Sequence, residues 1–351
     1  MTDSTLLDHP AASTAPGRRG TGPLLTGLLI AIALLVLAMI ASILLGTRGV
    51  SLGTIWDAFA HYDPDSTGES VIREMRVPRT LVGLLAGMAL GLSGAILQAS
   101  TRNPLADPGI LGINSGAAAA IVTAIAVIGR LPLSVSIWFG FAGAGITVLT
   151  VYAVAAFGRE GATPVKLALA GAAISAGLYA LVTAIVMTNM DALNQLRFWQ
   201  VGSLAGRYWP VLWQTLPFLA LGSLVAVGSG RALNGLALGD DMASALGLNV
   251  RRTRLILFVV VAILCGAAVS ACGPIVFLGL AVPQAARALV GPDYRWVLAY
   301  TAVLSPLVFL LADVIGRLVL APGELEVGVV LGILGAPVFI LLVRYRNLAT
   351  L

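Results

Sequence analysis

The chain has 351 residues, 58% of them hydrophobic and 11% charged, with mean hydropathy +0.97. A water-soluble domain carries about 25% charged residues, so too few polar side chains are present to coat a surface in water, and lipid is the expected solvent. The formal net charge of +5 does not point to nucleic acid, because the basic residues lie between apolar runs, where they set orientation in a membrane.

In chain order, residues 1–22 are rich in Ser, Thr, Pro and Gly and read as a flexible cytoplasmic tail. Arg18 and Arg19 precede the first apolar run, Leu24–Leu45, which is longer than a signal-peptide core and is followed by no Ala-x-Ala site. It reads as a retained spanning helix. A bilayer core of about 30 Å takes about 20 apolar residues per helix. By that measure nine further spans follow: Leu81–Leu97, Ile110–Ile128, Leu133–Phe157, Leu167–Met187, Leu212–Val227, Leu255–Val269, Ile275–Leu289, Val297–Leu311 and Val327–Val343. The runs are continuous and not alternating, which excludes transmembrane strands. The expected fold is all-α, a ten-helix membrane domain over residues 23–346 with a short cytoplasmic end at 347–351.

Ten spans bring both termini to the cytoplasm. That side then holds thirteen basic residues, among them Arg102, Lys166, Arg231, Arg251, Arg252, Arg254, Arg287, Arg295 and Arg344, with Arg159 and Arg346. Eight fall outside: Arg48, Arg73, Arg76, Arg79, Arg130, Arg197, Arg207 and Arg317. The bias follows the positive-inside rule. Spans two to five and seven to ten are candidates for two copies of one unit, inverted by the five-span offset, as in many transporters.

Three connecting stretches have internal organisation. Gly46–Val77, outside, carries the acidic residues Asp63, Asp65 and Glu69. Asp191–Trp209, also outside, sets Phe198, Trp199, Tyr208 and Trp209 beside Arg197 and Arg207, a composition suited to a membrane interface. Gly228–Arg254, cytoplasmic, contains Gly239-Asp-Asp-Met-Ala-Ser-Ala-Leu-Gly247. There Asp240 can cap a helix start and Gly247 can end it, leaving about two turns. Met242 and Leu246, four apart, share a face. So short a helix needs a surface to dock on, either a partner protein or the chain's own loops.

Asn103-Pro104 and Asp107-Pro108-Gly109 predict tight turns between spans two and three. Asp313 and Arg317 stand in the favourable order for an i,i+4 ion pair. A contact with an external acidic partner is the other reading of Arg317. Cys265 and Cys272 lie about 10.5 Å apart along one helix, too far for a disulfide. His9 and His61 belong to no ligand-spaced cluster, and no metal site is expected. The only lysine, Lys166, lies outside any Gly-Lys-Ser/Thr loop, so the chain is not expected to bind ATP that way. His-Glu-x-x-His and Gly-x-Ser-x-Gly are absent too. Few ionisable residues fall inside the spans, which argues against an ion-coupled secondary carrier.

Taken together, Arg76-Val-Pro-Arg79-Thr, Gly94-Ala-Ile-Leu-Gln98, Arg102-Asn-Pro-Leu-Ala-Asp-Pro-Gly-Ile-Leu-Gly112, Gly239-Asp-Asp-Met-Ala-Ser-Ala-Leu-Gly247, Gly273-Pro-Ile-Val-Phe-Leu-Gly-Leu-Ala-Val-Pro283, Arg287-Ala-Leu-Val-Gly-Pro-Asp293 and Gly335-Ala-Pro-Val338 resemble the FecCD family, the permeases of iron–siderophore, haem and vitamin B12 ABC importers. The resemblance runs from about Arg73 to Arg344 and implies a type II importer fold in the cytoplasmic (inner) membrane. It implies a second permease subunit, identical or closely related, and two ATPase subunits that carry the ATP and Mg. An extracytoplasmic substrate-binding protein completes the assembly. This chain is then a conduit and not an enzyme, with no cofactor of its own.

By the same resemblance Asp240, Asp241, Met242, Ala245, Leu246 and Gly247 dock on the ATPase. Arg76, Arg79 and Arg317 pair with acidic residues of the binding protein. Span five faces the pathway through Ala168, Ala172, Ser175, Tyr179 and Thr183, although small residues also serve close helix packing. Gln284 stands where many relatives have histidine, so this position cannot titrate near neutral pH. The stretch Gln195–Leu204 is most like ferric-catecholate permeases of the enterobactin type. The implied cargo is a ferric siderophore, with vitamin B12 and haem as alternatives.

Overall fold

The structure, a computed structural model, describes residues 21–47, 49–157 and 163–345. His9, Arg18, Arg19, Arg48, Arg159, Arg346 and the 347–351 end lie outside the described residues, as does the tail up to residue 20. Among the described residues every regular element is helical. In order these are α1 (Thr21–Leu44), α2 (Leu52–Ala60), α3 (Thr67–Ser70), α4 (Val77–Thr101), α5 (Ile113–Ile128), α6 (Leu133–Ala155), α7 (Pro164–Thr188) and α8 (Met190–Gln200). There follow α9 (Trp209–Gly228), α10 (Gly230–Ala237), α11 (Asp240–Ala245), α12 (Val250–Cys272), α13 (Leu278–Val290), α14 (Tyr294–Val319) and α15 (Val327–Tyr345). A π-helical turn, Val71–Arg76, leads directly into α4.

All ten expected spans are present as helices. Those long and apolar enough to cross a membrane are α1, α4 with its lead-in, α6, α7, α9, α12 and α14, while α5, α13 and α15 are shorter apolar helices. Two span starts need correcting. Ile110 belongs to a 3-10 turn, Pro108–Leu111, and Gly112 then adopts φ +72° before α5 begins. Ile275 likewise precedes α13, because Phe277 adopts φ +66°. The 16 residues of α5 and 13 of α13 rise about 24 and 20 Å, short of a bilayer core. Both helices start inside the bundle, where Pro108 packs beside Gly279. Irregular backbone is tolerated at that depth only when protein buries it and its polar groups are bonded. Here Pro108 has no N–H, and the Asp107 carboxylate accepts from the Gly109 N–H at 2.8 Å.

α4 is the central helix and is almost wholly buried. Gly83, Gly87, Gly91 and Gly94 form a groove along it. A Cβ would strike Leu310 from Gly83, Pro306 from Gly87, Ser305 from Gly91 and the Gly279 carbonyl from Gly94. Without a hydrophobic drive between helices in lipid, such close approach is what holds them together. The groove lets α14 and α13 lie directly against α4.

The packing has the symmetry that an inverted repeat requires. α4 packs on α13 and α14, and α12, running in the opposite direction, packs on α5 and α6. Exchanging α4–α7 for α12–α15 carries each of these contacts onto the other. Cys265 and Cys272 are both buried and free.

Candidate functional site

The two ends of the bundle differ in chemistry. At one end α1 finishes and α4 begins. The last carbonyls of a helix have no partner within it and need donors from elsewhere. Two arginines supply them. Arg76 Nη1 donates to the Ile43 and Leu44 carbonyls, both at 2.8 Å. Arg317 Nη1 donates to the Ser42 and Leu45 carbonyls at 2.9 and 2.8 Å, and its Nη2 donates to Ser42 Oγ at 2.9 Å. Cations at a helix C-terminus also oppose its dipole.

Arg79 completes this cluster. Its Nε and Nη2 grip Asp313 at 3.2 and 2.8 Å, and its Nη1 meets Glu324 at 2.8 Å. Asp313 also pairs with Arg317 at 3.0 Å, the i,i+4 contact expected from the sequence. Arg76 and Arg317 are nearly buried, so the structure employs them inside the fold, and of the three expected docking arginines Arg79 is the most accessible. Beside them opens a cavity of about 390 Å³ lined by Arg76, Arg79, Arg317, Glu324, Met75 and Tyr208.

Arg207, in the loop between α8 and α9, donates to the Ala271 and Ala205 carbonyls at 2.7 and 2.6 Å. Burial lowers its pKa from the ordinary value, yet an arginine stays charged in a protein. Of the acidic residues singled out in 46–77, Asp63 and Asp65 are exposed and Glu69 is not. Glu69 is buried, and its Oε2 accepts from the Asp63 N–H at 2.7 Å. Of the aromatics, Phe198 is exposed and Trp199 is buried.

At the opposite end α11 stands on the surface. Gly239, not Asp240, is its N-cap. Asp240 is the first helical residue and is held by Arg254 at 3.0 Å and Arg102 at 3.9 Å. Gly247 at φ +82° ends the helix, and the Leu248 N–H reaches back to the Ala243 carbonyl at 3.0 Å. Only Ala243 faces inward. Met242 and Leu246 are 56% and 64% exposed, with Asp241, Ala245 and Gly247 exposed beside them.

Between the ends, α7 offers a partly open face. Ala168, Ala172 and Tyr179 are exposed and Ser175 and Thr183 are half-buried. Gln284 lies within the bundle. Its Nε2 donates to Gln98 Oε1 at 2.8 Å and to the Pro104 carbonyl at 3.2 Å. Gln98 Nε2 in turn donates to the Gly279 and Leu280 carbonyls at 3.3 and 3.1 Å. This network ties α4 and α13 to the turn after α4.

These features coincide with a single family. The model of the FecCD transport family matches residues 34–345. The chain belongs to that family. It is 45% identical to the ferric enterobactin transport system permease protein FepD of Escherichia coli, over 90% of this chain and 93% of that protein. It is 41% identical to the iron(3+)-hydroxamate import system permease protein FhuB of Bacillus subtilis, over 90% and 82%. A solved inward-facing metal-chelate-type ABC transporter superimposes with TM-score 0.81 at 27% identity, covering 92% of this chain and 99% of that one. As a family member the chain is a multi-pass transmembrane permease of an ABC importer.

Sequence reasoning missed Glu324, Ser42 and Gln98 as partners. The Arg79–Asp313 pair joins residues 234 apart, and no local pattern signals such a contact. For Gln98 a signal existed: a long polar side chain near the inner end of an apolar span.

Proposed function

We propose that this permease carries ferric siderophores of the catecholate class across the cytoplasmic membrane, driven by ATP hydrolysis on a separate subunit. The observation that carries the reading is the 45% identity to a ferric enterobactin permease along 90% of the chain. The excess of basic residues at the Asp240 end supports an orientation with that end and both termini in the cytoplasm and the Arg79 end outward.

In this reading two ATPase subunits take up α11. Met242 and Leu246 present an apolar face that nothing among the described residues covers, and so short a helix needs a surface to dock on. A second permease subunit, a copy or a close relative, faces α7 across the pathway. An external binding protein delivers the cargo to the Arg79 end, where Arg79 is the docking cation and Arg76 and Arg317 hold the surface in shape. ATP-driven closure of the ATPases moves α11, and the helices rock between inward- and outward-facing states.

The test is uptake of iron-labelled catecholate and hydroxamate siderophores, haem and labelled vitamin B12 in cells with and without the chain. Loss of ferric-catecholate uptake alone is expected. Loss of vitamin B12 or haem uptake alone would overturn the cargo and leave the ABC assignment standing. Uptake that survives ATP depletion and stops with a protonophore would overturn the ATP-driven reading.

A further inference from the structure

The guanidinium of Arg79 is shared unequally between two carboxylates. Asp313 takes the Nε and Nη2 edge in a two-bond fork. It is 1% exposed and is also tied to Arg317, so it is a fixed part of the interior. Glu324 makes one contact, to Nη1, and is 28% exposed. It sits in the short connection between α14 and α15, beside the cavity of about 390 Å³. The backbone at this point is anchored: the Leu325 N–H donates to the Gly316 carbonyl at 3.0 Å and the Val330 N–H to the Glu326 carbonyl at 3.3 Å. Only the side chain of Glu324 need turn to release Nη1 into the cavity.

From this we infer that Glu324 is a built-in stand-in for a carboxylate of the external binding protein. It occupies Nη1 of Arg79 in the undocked permease and is exchanged for the partner's carboxylate on docking. The inference rests on the docking reading above and adds its regulation. Two features fit the partner's acid group at this point. The cavity wall keeps a cationic excess, because Arg76, Arg79 and Arg317 line it against Glu324, with Asp313 behind them as the one further carboxylate. In addition, a guanidinium already gripped along one edge presents its remaining N–H groups in a fixed direction, which favours a second carboxylate entering on that side. The exchange replaces one ion pair by another, so docking proceeds without leaving Arg79 unpaired. It also makes the undocked surface less attractive to other anions, since the cation is covered until a properly placed acid displaces Glu324.

The experiment uses the assembled transporter in lipid nanodiscs and, as probe, the binding protein that supports uptake in the transport assay. Its dissociation constant is measured for wild type, Glu324→Gln, Glu324→Ala, Asp65→Asn and Arg79→Gln, and for the double change Arg79→Gln with Glu324→Gln. Glu324→Gln and Glu324→Ala should bind roughly two- to fivefold more tightly, the range of a part-exposed ion pair. Asp65 is an exposed acid at the same end, and Asp65→Asn, which removes the same charge, should change little. The gain should vanish in the Arg79→Gln background. Tightening no greater than that of Asp65→Asn, or a gain that persists without Arg79, would overturn the exchange while leaving docking at Arg79 intact. Wild-type affinity in Arg79→Gln would overturn the docking role of Arg79 itself and the exchange with it.

Discussion

The Arg79 end and the Asp240 end invert the usual arrangement in opposite ways. At the first, charged groups are turned inward: Arg76 and Arg317 spend their N–H groups on the carbonyls of α1, and Asp313 is buried between two cations. At the second, apolar groups are turned outward, with Met242 and Leu246 in the open. Buried charges tolerate no loss of a partner, because a remaining charge is left in a poor solvent. Exposed apolar groups tolerate substitution in the isolated chain, because nothing there depends on them. Disruption at the first end should therefore be felt in folding, and disruption at the second only in assembly.

The largest effect is expected from Asp313→Asn. It keeps the shape but leaves Arg79 and Arg317 short of a counter-charge, at a cost of about 3–5 kcal/mol by analogy with other broken buried pairs. Thermal unfolding of the purified permease in detergent checks this, with Asp65→Asn as the exposed control. An unchanged midpoint in Asp313→Asn would remove the basis of the comparison.

Next come Met242→Asp and Leu246→Asp. Each should leave the unfolding midpoint of the permease alone and weaken ATPase association by about tenfold or more, since burying a side chain of this kind is worth about 1.5–3 kcal/mol. Co-purification with the ATPase subunits and transport-coupled ATP hydrolysis report it. Retained association would strip α11 of its docking role.

Gln284→Leu should have the smallest effect, about 1 kcal/mol of stability, because it leaves Gln98 Oε1 and the Pro104 carbonyl without a donor at a part-buried site. If the network also steadies the turn after α4, basal ATP hydrolysis in the assembled transporter will rise in this variant; an unchanged basal rate assigns Gln284 to stability alone.

Much of this was legible in the sequence, and the reason is locality. The ten apolar runs appear as helices because an apolar stretch in lipid has to bond its own backbone. The Met242–Leu246 face was visible because helical spacing alone places those residues together. The Asp313–Arg317 pair was visible for the same reason. The starts of α5 and α13 were read too early, since Ile110 and Ile275 are apolar and apolarity does not distinguish a helix from a buried turn. The turn residues before Ile110 were in plain view, but hydropathy outweighed them.

The amino-acid sequence by itself determined the solvent, the helical class, the number of apolar segments and the short exposed helix, because each follows from composition or from spacing along a few turns. Only the tertiary structure decided which way the arginines point. Arg79 chooses Asp313 and Glu324, and Arg317 chooses the end of α1, from residues more than 200 positions away. An arginine at a helix end can serve a partner or its own fold equally well by sequence. What decides is whether unsatisfied carbonyls and carboxylates lie within about 3 Å of its N–H groups once the helices have packed.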